Sequence, residues 1–107
     1  MTKIDIIRGK DSIEITVDGH SDEAHTDDGR NDVCVAISTL TQTIAYFVEE
    51  SEGVECYIKD VTLKEGYAHI SVRANDYIIG HILAIASGYE MLTQFHPELV
   101  KIKENFS

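Results

Sequence analysis

The chain contains no tryptophan, one proline and only nine basic residues against nineteen acidic ones. Its net charge of −10 argues against direct binding to nucleic acid, because the phosphates would be repelled. No apolar run approaches the roughly 20 residues that a membrane-spanning helix needs, so no membrane association is expected. The acidic balance favours a basic partner, unless it serves solubility alone.

Cysteine is almost as scarce, with Cys34 and Cys56 as the only two. The first five residues mix charged and apolar side chains, so we expect no signal peptide. We therefore expect a cytoplasmic protein. Because thiols stay reduced in the cytoplasm, we expect no structural disulfide. The length of 107 residues and the hydrophobic fraction of 43% predict one folded domain over residues 1–107.

The apolar pattern predicts four strands and two helices. Apolar and polar residues alternate in four segments, which is typical of strands with one buried face, and two longer segments have helical periodicity. The strands are predicted at 3–8, 13–17, 54–58 and 67–74, and the helices at about 33–50 and 77–95. This ββαββα order predicts an α+β fold, in which two helices pack on a mostly antiparallel four-stranded sheet.

The ends of the two predicted helices carry recognisable signals. Asn31 or Asp32 is expected to cap the first helix, and Asn75 or Asp76 the second. The second helix is apolar over more than half of its circumference in its first half. This predicts burial on two sides, either within the domain or against another subunit.

A histidine after a strand and a cysteine at a helix start are the residues best suited to chemistry. Asp18 and Gly19 end the second strand, so His20 lies at its exit, and Cys34 lies where the first predicted helix begins. Unpaired N–H groups at a helix start favour a thiolate, and a nearby histidine can accept the thiol proton. The pattern favours a cysteine nucleophile.

Each of these residues also has a simpler interpretation. Most free cysteines are small buried apolar residues, and Cys34 could be one of them. His25 lies in the same loop as His20 and competes with it as the base. Cys56 is in phase with its strand and is predicted to lie in the core. Ser38, one turn after Cys34, could hydrogen-bond near the thiol or to the carbonyl of Cys34 itself.

The segment from 20 to 30 predicts a mobile surface loop, because it has no aliphatic residue larger than Ala24. Its histidines and aspartates could bind a metal, but their spacing matches no zinc or calcium signature. Neither a metal nor a cofactor is therefore expected. The other histidines, His69, His81 and His96, fall in regular elements and are predicted to be ordinary surface or packing residues.

Several motifs resemble those of the ribosomal-processing cysteine proteases called Prp. The family's Gly-His-Ala after the second strand is matched by Gly19-His20-Ser21. Its Asp-Ile-Val-Cys-Ala-Ala-Val-Ser helix start is matched by Asn-Asp-Val-Cys-Val-Ala-Ile-Ser at 31–38. Leu-Thr-Gln-Thr at 40–43 continues the match, and 95–102 resembles the family's usual ending. Together these motifs are specific, although each alone is weak.

The resemblance implies a cysteine endopeptidase with a catalytic dyad of His20 and Cys34. It also implies a ββαββα sandwich that forms a homodimer. The implied substrate is large-subunit ribosomal protein twenty-seven, whose short N-terminal extension is removed in support of ribosome assembly. The expected partner is thus the N-terminal peptide of a basic ribosomal protein, attracted by an acidic loop that closes over it as a lid.

The chain departs from the family pattern beside the cysteine. Asn31 stands where the family has aspartate, and Asp32 is displaced by one position. Asn31, Asp32 and Ser38 are therefore candidates for supporting roles around the dyad. Two other classes of function stay open: a non-catalytic peptide-binding protein of the same fold, and a redox-sensing thiol at Cys34.

Overall fold

The protein folds into a five-stranded mixed sheet and two helices. The computed structural model describes residues 1–19, 30–53 and 55–106, with the side chains of the first helix described from Asp32 onward. The elements are β1 (Thr2–Arg8), β2 (Ser12–Asp18), α1 (Arg30–Ser51), β3 (Cys56–Lys64), β4 (Tyr67–Ala74), α2 (Asp76–Phe95) and β5 (Val100–Phe106).

The strands lie in the order β3-β4-β2-β1-β5. Four of them pair antiparallel, as predicted, and β5 pairs parallel to β1 at the edge. The α+β class is confirmed, but the four-stranded description was wrong because it omitted β5. This strand shows little amphipathic pattern, since only Val100 is fully buried and Ile102 partly. Its position depends on a parallel pairing with the distant start of the chain.

The core lies between one face of the sheet and the helices. Residues of β1, β2 and β4 alternate between buried and exposed, as one-sided strands do. The largest fully buried side chains are Tyr89, Ile4, Ile13, Ile15, Ile37, Ile44, Ile70, Ile79, Ile82, Val17, Val48 and Val72. The opposite face of the sheet carries mainly polar side chains.

The element boundaries confirm one cap and correct another. Asn75 caps α2, and its side-chain oxygen accepts a hydrogen bond from the backbone N–H of Ile78 at 2.9 Å. Helix α1 begins at Arg30, so Asn31 and Asp32 lie inside its first turn and the predicted cap was wrong. Strand β3 extends to Lys64, six residues beyond the predicted end at 58.

The two apolar sides of α2 are buried within this one chain. Ile79 and Ala86, from the second apolar row, are buried, and Leu83 packs partly against the core. Helix α2 also approaches α1 closely, because a Cβ added to Gly88 would lie 2.7 Å from a methyl carbon of Leu40. The apolar surface of α2 is thus used in the contact between the helices and with the sheet.

Candidate active site

The chain leaves β2 at Gly19, the residue before His20. The N–H of Gly19 donates to the carbonyl oxygen of Gly66 at 2.9 Å, which ties this point to the β3–β4 turn. Gly19 has a φ of 94°, and a Cβ there would lie 2.7 Å from the backbone oxygen of Met1. Both the conformation and the space require glycine. The strand exit that leads to His20 is therefore held in one place.

Cys34 is the fifth residue of α1 and lies one turn inside the helix. The prediction placed it at the helix start, but the helix begins four residues earlier. The backbone N–H groups without an intrahelical acceptor therefore belong to the preceding turn, at 30–32. The Cys34 side chain is only 5% exposed, yet it is not part of the contiguous apolar core.

A cavity of about 300 Å³ lies between α1 and the β3–β4 hairpin. It is lined by Ser38, Thr41, Gln42, Leu63, Lys64, Glu65, Tyr67 and Ala68. The helix supplies mainly polar groups, and the hairpin supplies apolar groups with one charge of each sign. Such a surface can receive a peptide side chain and offer hydrogen bonds to its backbone.

The cavity adjoins both segments that carry the proposed dyad. Ser38 in its wall follows Cys34 by one helical turn, so the two residues share a face of α1. The opposite wall includes residues on both sides of Gly66, which accepts the hydrogen bond from Gly19. The fold thus brings the helix face of Cys34 and the strand exit before His20 to one cavity.

A buried hydrogen bond joins the two helices beneath this cavity. The Thr41 hydroxyl donates to the carbonyl oxygen of Ile37 at 2.7 Å. The Tyr89 hydroxyl lies 2.6 Å from the Thr41 oxygen and must be the donor, because Thr41 has no second proton to give. Burial raises the pKa of Tyr89 to about 12. The cavity wall at Thr41 is therefore joined to α2 by a buried hydrogen bond.

Several predicted site residues cannot be placed. His20, its competitor His25 and the aspartates considered as metal ligands in the same loop lie outside the described residues, so the mobility of this loop also stays a prediction. Asp32 is exposed in the first turn of α1, and Ser38 is half-buried. The backbone of Asn31 lies in the same turn.

Cys56 was predicted to be a core residue, and this is confirmed. Its side chain is fully buried, with the sulfur 3.9 Å from the carbonyl oxygen of Val48. Burial raises the pKa of the Cys56 thiol, and the charge of Glu52 adds to this effect. Cys34 and Cys56 are both free thiols, and Cys34 precedes the cavity-lining residue Ser38 by one helical turn.

His69 has a more specific environment than the sequence indicated. Its Nδ1 lies 2.6 Å from Asp60 Oδ2, and its Nε2 lies 3.1 Å from Glu14 Oε1. Strand alternation places all three side chains on the open face of the sheet, but only the strand order makes them neighbours. His81 is an ordinary surface residue by comparison, stacked on the ring of Phe47.

Within the described ranges, no group of three or more histidine, cysteine, aspartate or glutamate side chains could hold a metal ion. Over the same ranges, neither helix is long and apolar enough to cross a membrane.

The fold is a small α+β domain in which the free thiol Cys34 lies one helical turn from Ser38 in the wall of a cavity, an arrangement that suits a candidate thiol enzyme. A family model described as cysteine protease Prp matches residues 1–104. The chain belongs to this family of ribosomal processing proteases, as its motifs predicted.

Solved structures share the fold over nearly the whole chain. SMU.848 from Streptococcus mutans has a TM-score of 0.76 at 20% identity, covering 100% of this chain and 99% of that protein. The Prp protease from S. aureus with a substrate peptide gives 0.72 at 15% identity, covering 97% and 99%. The same S. aureus protease with a covalently linked product peptide gives 0.64 at 19%, covering 100% of both. No curated protein has significant sequence similarity to the chain.

Proposed function

We propose that this protein is a cytoplasmic cysteine endopeptidase that removes the N-terminal extension of large-subunit ribosomal protein twenty-seven. The observation that carries the proposal is the cavity between Ser38, one helical turn after Cys34, and the hairpin turn that accepts a hydrogen bond from Gly19. Membership of the Prp family supports the protease class. Peptide complexes of the S. aureus relative support a peptide as the ligand.

The proposed mechanism uses His20 as base and Cys34 as nucleophile. His20 accepts the thiol proton, and the thiolate attacks the carbonyl carbon of the scissile bond. His20 then protonates the leaving amine, and water hydrolyses the thioester. In this second step His20 takes a proton from the attacking water, and it passes that proton to the sulfur as the new carboxylate leaves.

The first turn of α1 is suited to stabilise the tetrahedral intermediate. Helical side chains point toward the N-terminus of their helix, so the Cys34 side chain leans over the turn that holds Asn31 and Asp32. The unpaired N–H groups of that turn can donate to the oxyanion. Asn31 and Asp32 therefore act through their backbones, while Ser38 forms part of the cavity wall.

The test is cleavage of the natural substrate. We expect incubation with the N-terminal peptide of the same organism's ribosomal protein to yield one cut, detected by mass spectrometry. A scrambled peptide of the same composition should stay intact. If neither the peptide nor the full-length ribosomal protein is cut, the proposal is wrong.

A groove continues from the cavity along the outer face of α1. It is lined by Thr39, Gln42, Thr43, Ala45, Tyr46, Glu49 and Leu63, and it shares Gln42 and Leu63 with the cavity. Glu49 lies fifteen residues after Cys34, or about 22 Å along the helix, the length of about seven extended residues. The substrate chain follows this groove, and Glu49 contacts a basic residue of it.

Glu49→Gln should raise KM for the basic peptide about two- to fivefold without changing kcat, because an exposed ion pair contributes similarly to substrate and transition-state binding. Steady-state kinetics at low salt measure the effect, which should vanish at high salt. Glu50→Gln is the matched control, since its neighbouring carboxylate does not line the groove. Equal effects of both variants would show that the overall charge matters and would contradict a specific contact at Glu49.

The burial of Cys34 favours a second candidate, a non-catalytic peptide-binding protein of the same fold. The rate of iodoacetamide alkylation separates the two. A catalytic Cys34 should react faster than a free thiol at neutral pH, whereas a merely structural one should react more slowly. Cys56→Ala is the background for this measurement, because it leaves one thiol.

The homodimer implied by the family resemblance stays a prediction. Five residues of α2 are buried within the chain, so the apolar pattern of this helix does not by itself require a second subunit. Sedimentation equilibrium over a range of concentrations would measure the oligomeric state.

A further inference from the structure

A charged cluster lies on the open face of the sheet, on the side away from the helices. His69 of β4 stands between Asp60 of β3 and Glu14 of β2, with one ring nitrogen facing each carboxylate. Ionised carboxylates only accept hydrogen bonds, so both nitrogens bond fully only when both carry protons. We call Glu14, Asp60 and His69 the clamp. When both of its hydrogen bonds are made, the clamp consists of an imidazolium on β4 between a carboxylate on β3 and a carboxylate on β2.

The clamp lies on the reverse side of the wall of the cavity. In the β3–β4 register, Thr62 pairs with His69 and Leu63 pairs with Ala68. Leu63 and Ala68 line the cavity, and the Thr62 hydroxyl donates to Asp60 at 3.0 Å. Alternate residues of a strand face opposite sides of the sheet. The clamp therefore contacts the β3–β4 hairpin on the open face, and the opposite face of the same hairpin forms the cavity wall.

Glu14 extends this connection to the strand that leads to His20. Strand β2 runs from Ser12 to Asp18 and ends beside Gly19, which is bonded to the hairpin turn at Gly66. The contact from Glu14 to His69 and the contact from Gly19 to Gly66 join the same two parts of the sheet. Strands β2 and β4 also pair along their backbones, from Ser12 opposite Arg73 to Asp18 opposite Tyr67, so the Glu14–His69 contact adds to this ladder near the hairpin tip.

We propose that the His69 imidazolium is a positioning residue for peptide cleavage, holding the β3–β4 hairpin against β2 and so fixing the cavity wall and the strand exit before His20. The proposal rests on the proposed protease function. Deprotonation of His69 removes one of its two donated hydrogen bonds and the attraction to both carboxylates. The hairpin is then held less firmly, and cleavage slows.

The charges around His69 define the pH range of the effect. The hydrogen bond with Asp60 is the main cause that raises the pKa of His69, with burial opposing and Glu14 assisting. Hydrogen bonds from His69 and then Thr62 lower the pKa of Asp60. By register, the other charged side chains on this face are Lys64 on β3, Asp18 on β2, Arg73 on β4, Lys3 and Asp5 on β1, and Lys101 and Lys103 on β5.

The directions of these two pKa shifts determine how the stability of the clamp changes with pH. A raised histidine pKa gives stability that is complete below about pH 6.5 and is lost as the pH rises through the folded value. A lowered aspartate pKa gives stability that is present above about pH 4 and is lost as the pH falls through the folded value. The clamp therefore stabilises the fold fully only in mildly acidic solution, between about pH 4 and pH 6.5.

The experiment compares kcat/KM of the full chain with that of His69→Gln from pH 5.5 to pH 9. The ratio of the two cancels the titration of the catalytic groups. We expect a ratio of roughly ten at low pH that falls toward one as His69 deprotonates in the unmodified chain. His81→Gln, on the exposed surface of α2, should give a ratio of one throughout. A pH-independent ratio for His69→Gln would overturn the proposal.

Two further measurements do not depend on proteolysis. Nitrogen-15 NMR of the full chain should show both His69 ring nitrogens protonated at pH 6 and a titration above pH 6.5. Urea unfolding should show an alkaline loss of stability that Asp60→Asn and His69→Gln both lack. If these hold but the unmodified protein cuts no peptide, the proposed function fails and the positioning role with it. A His69 that titrates below pH 6.5 overturns the clamp alone.

Discussion

Replacing Cys34 with serine should abolish peptide cleavage while preserving the fold. Serine has nearly the same volume, so a side chain that is 5% exposed is replaced without a large cavity. Its hydroxyl is a far weaker nucleophile than a thiol, and loss of the nucleophile of the proposed dyad should cost about 10⁴-fold or more in rate. Single-turnover cleavage followed by mass spectrometry measures the loss, and circular dichroism checks the fold.

Cys56→Ala is the matched control for the thiol. Cys56 is fully buried away from the cavity, so this variant should retain wild-type kcat/KM and lose about 1 kcal/mol of unfolding free energy. His20→Ala should be as inactive as Cys34→Ser, and the double variant no worse, because the two residues act as a unit. Near wild-type cleavage by Cys34→Ser would refute the assignment of the nucleophile.

Tyr89→Ala should have the largest effect on stability. The Tyr89 ring is fully buried in the core and its hydroxyl bonds to Thr41 on α1. Truncation of a buried aromatic side chain costs about 3–5 kcal/mol, out of a total stability of about 5–15 kcal/mol for a domain. Urea unfolding followed by circular dichroism should show the midpoint falling sharply with little change in slope.

The direction of the Thr41–Tyr89 hydrogen bond gives this prediction a sharper form. Tyr89→Phe removes the donor, and Thr41 keeps its own bond to the Ile37 carbonyl, so we expect a loss of about 1 kcal/mol. Thr41→Val leaves the buried Tyr89 hydroxyl without its acceptor and should cost about 1–3 kcal/mol. If Tyr89→Phe proves more destabilising than Thr41→Val, the assigned direction is wrong.

Most of the fold could be predicted from local pattern. The alternation in β1, β2 and β4 and the periodicity of both helices are properties of short segments, and each was recognised within a few residues. Strand β5 could not be predicted in this way. Its exposed, charged sequence becomes a strand because the parallel edge of β1 is available to pair with it. The start of α1 was also misjudged, since Arg30 is a poorer signal than Asn31 or Asp32.

For the candidate site too, local features could be predicted from the sequence and the spatial arrangement could not. The sequence by itself determined the protease family, the thiol and histidine that carry the proposed chemistry, and the one-sided strands, because motifs and periodicity are local. Only the tertiary structure brought the Cys34 face of α1, the Gly19 exit and the β3–β4 hairpin to one cavity. The structure alone also made neighbours of Glu14, Asp60 and His69, because strand order and register are set by pairing between segments far apart in the chain.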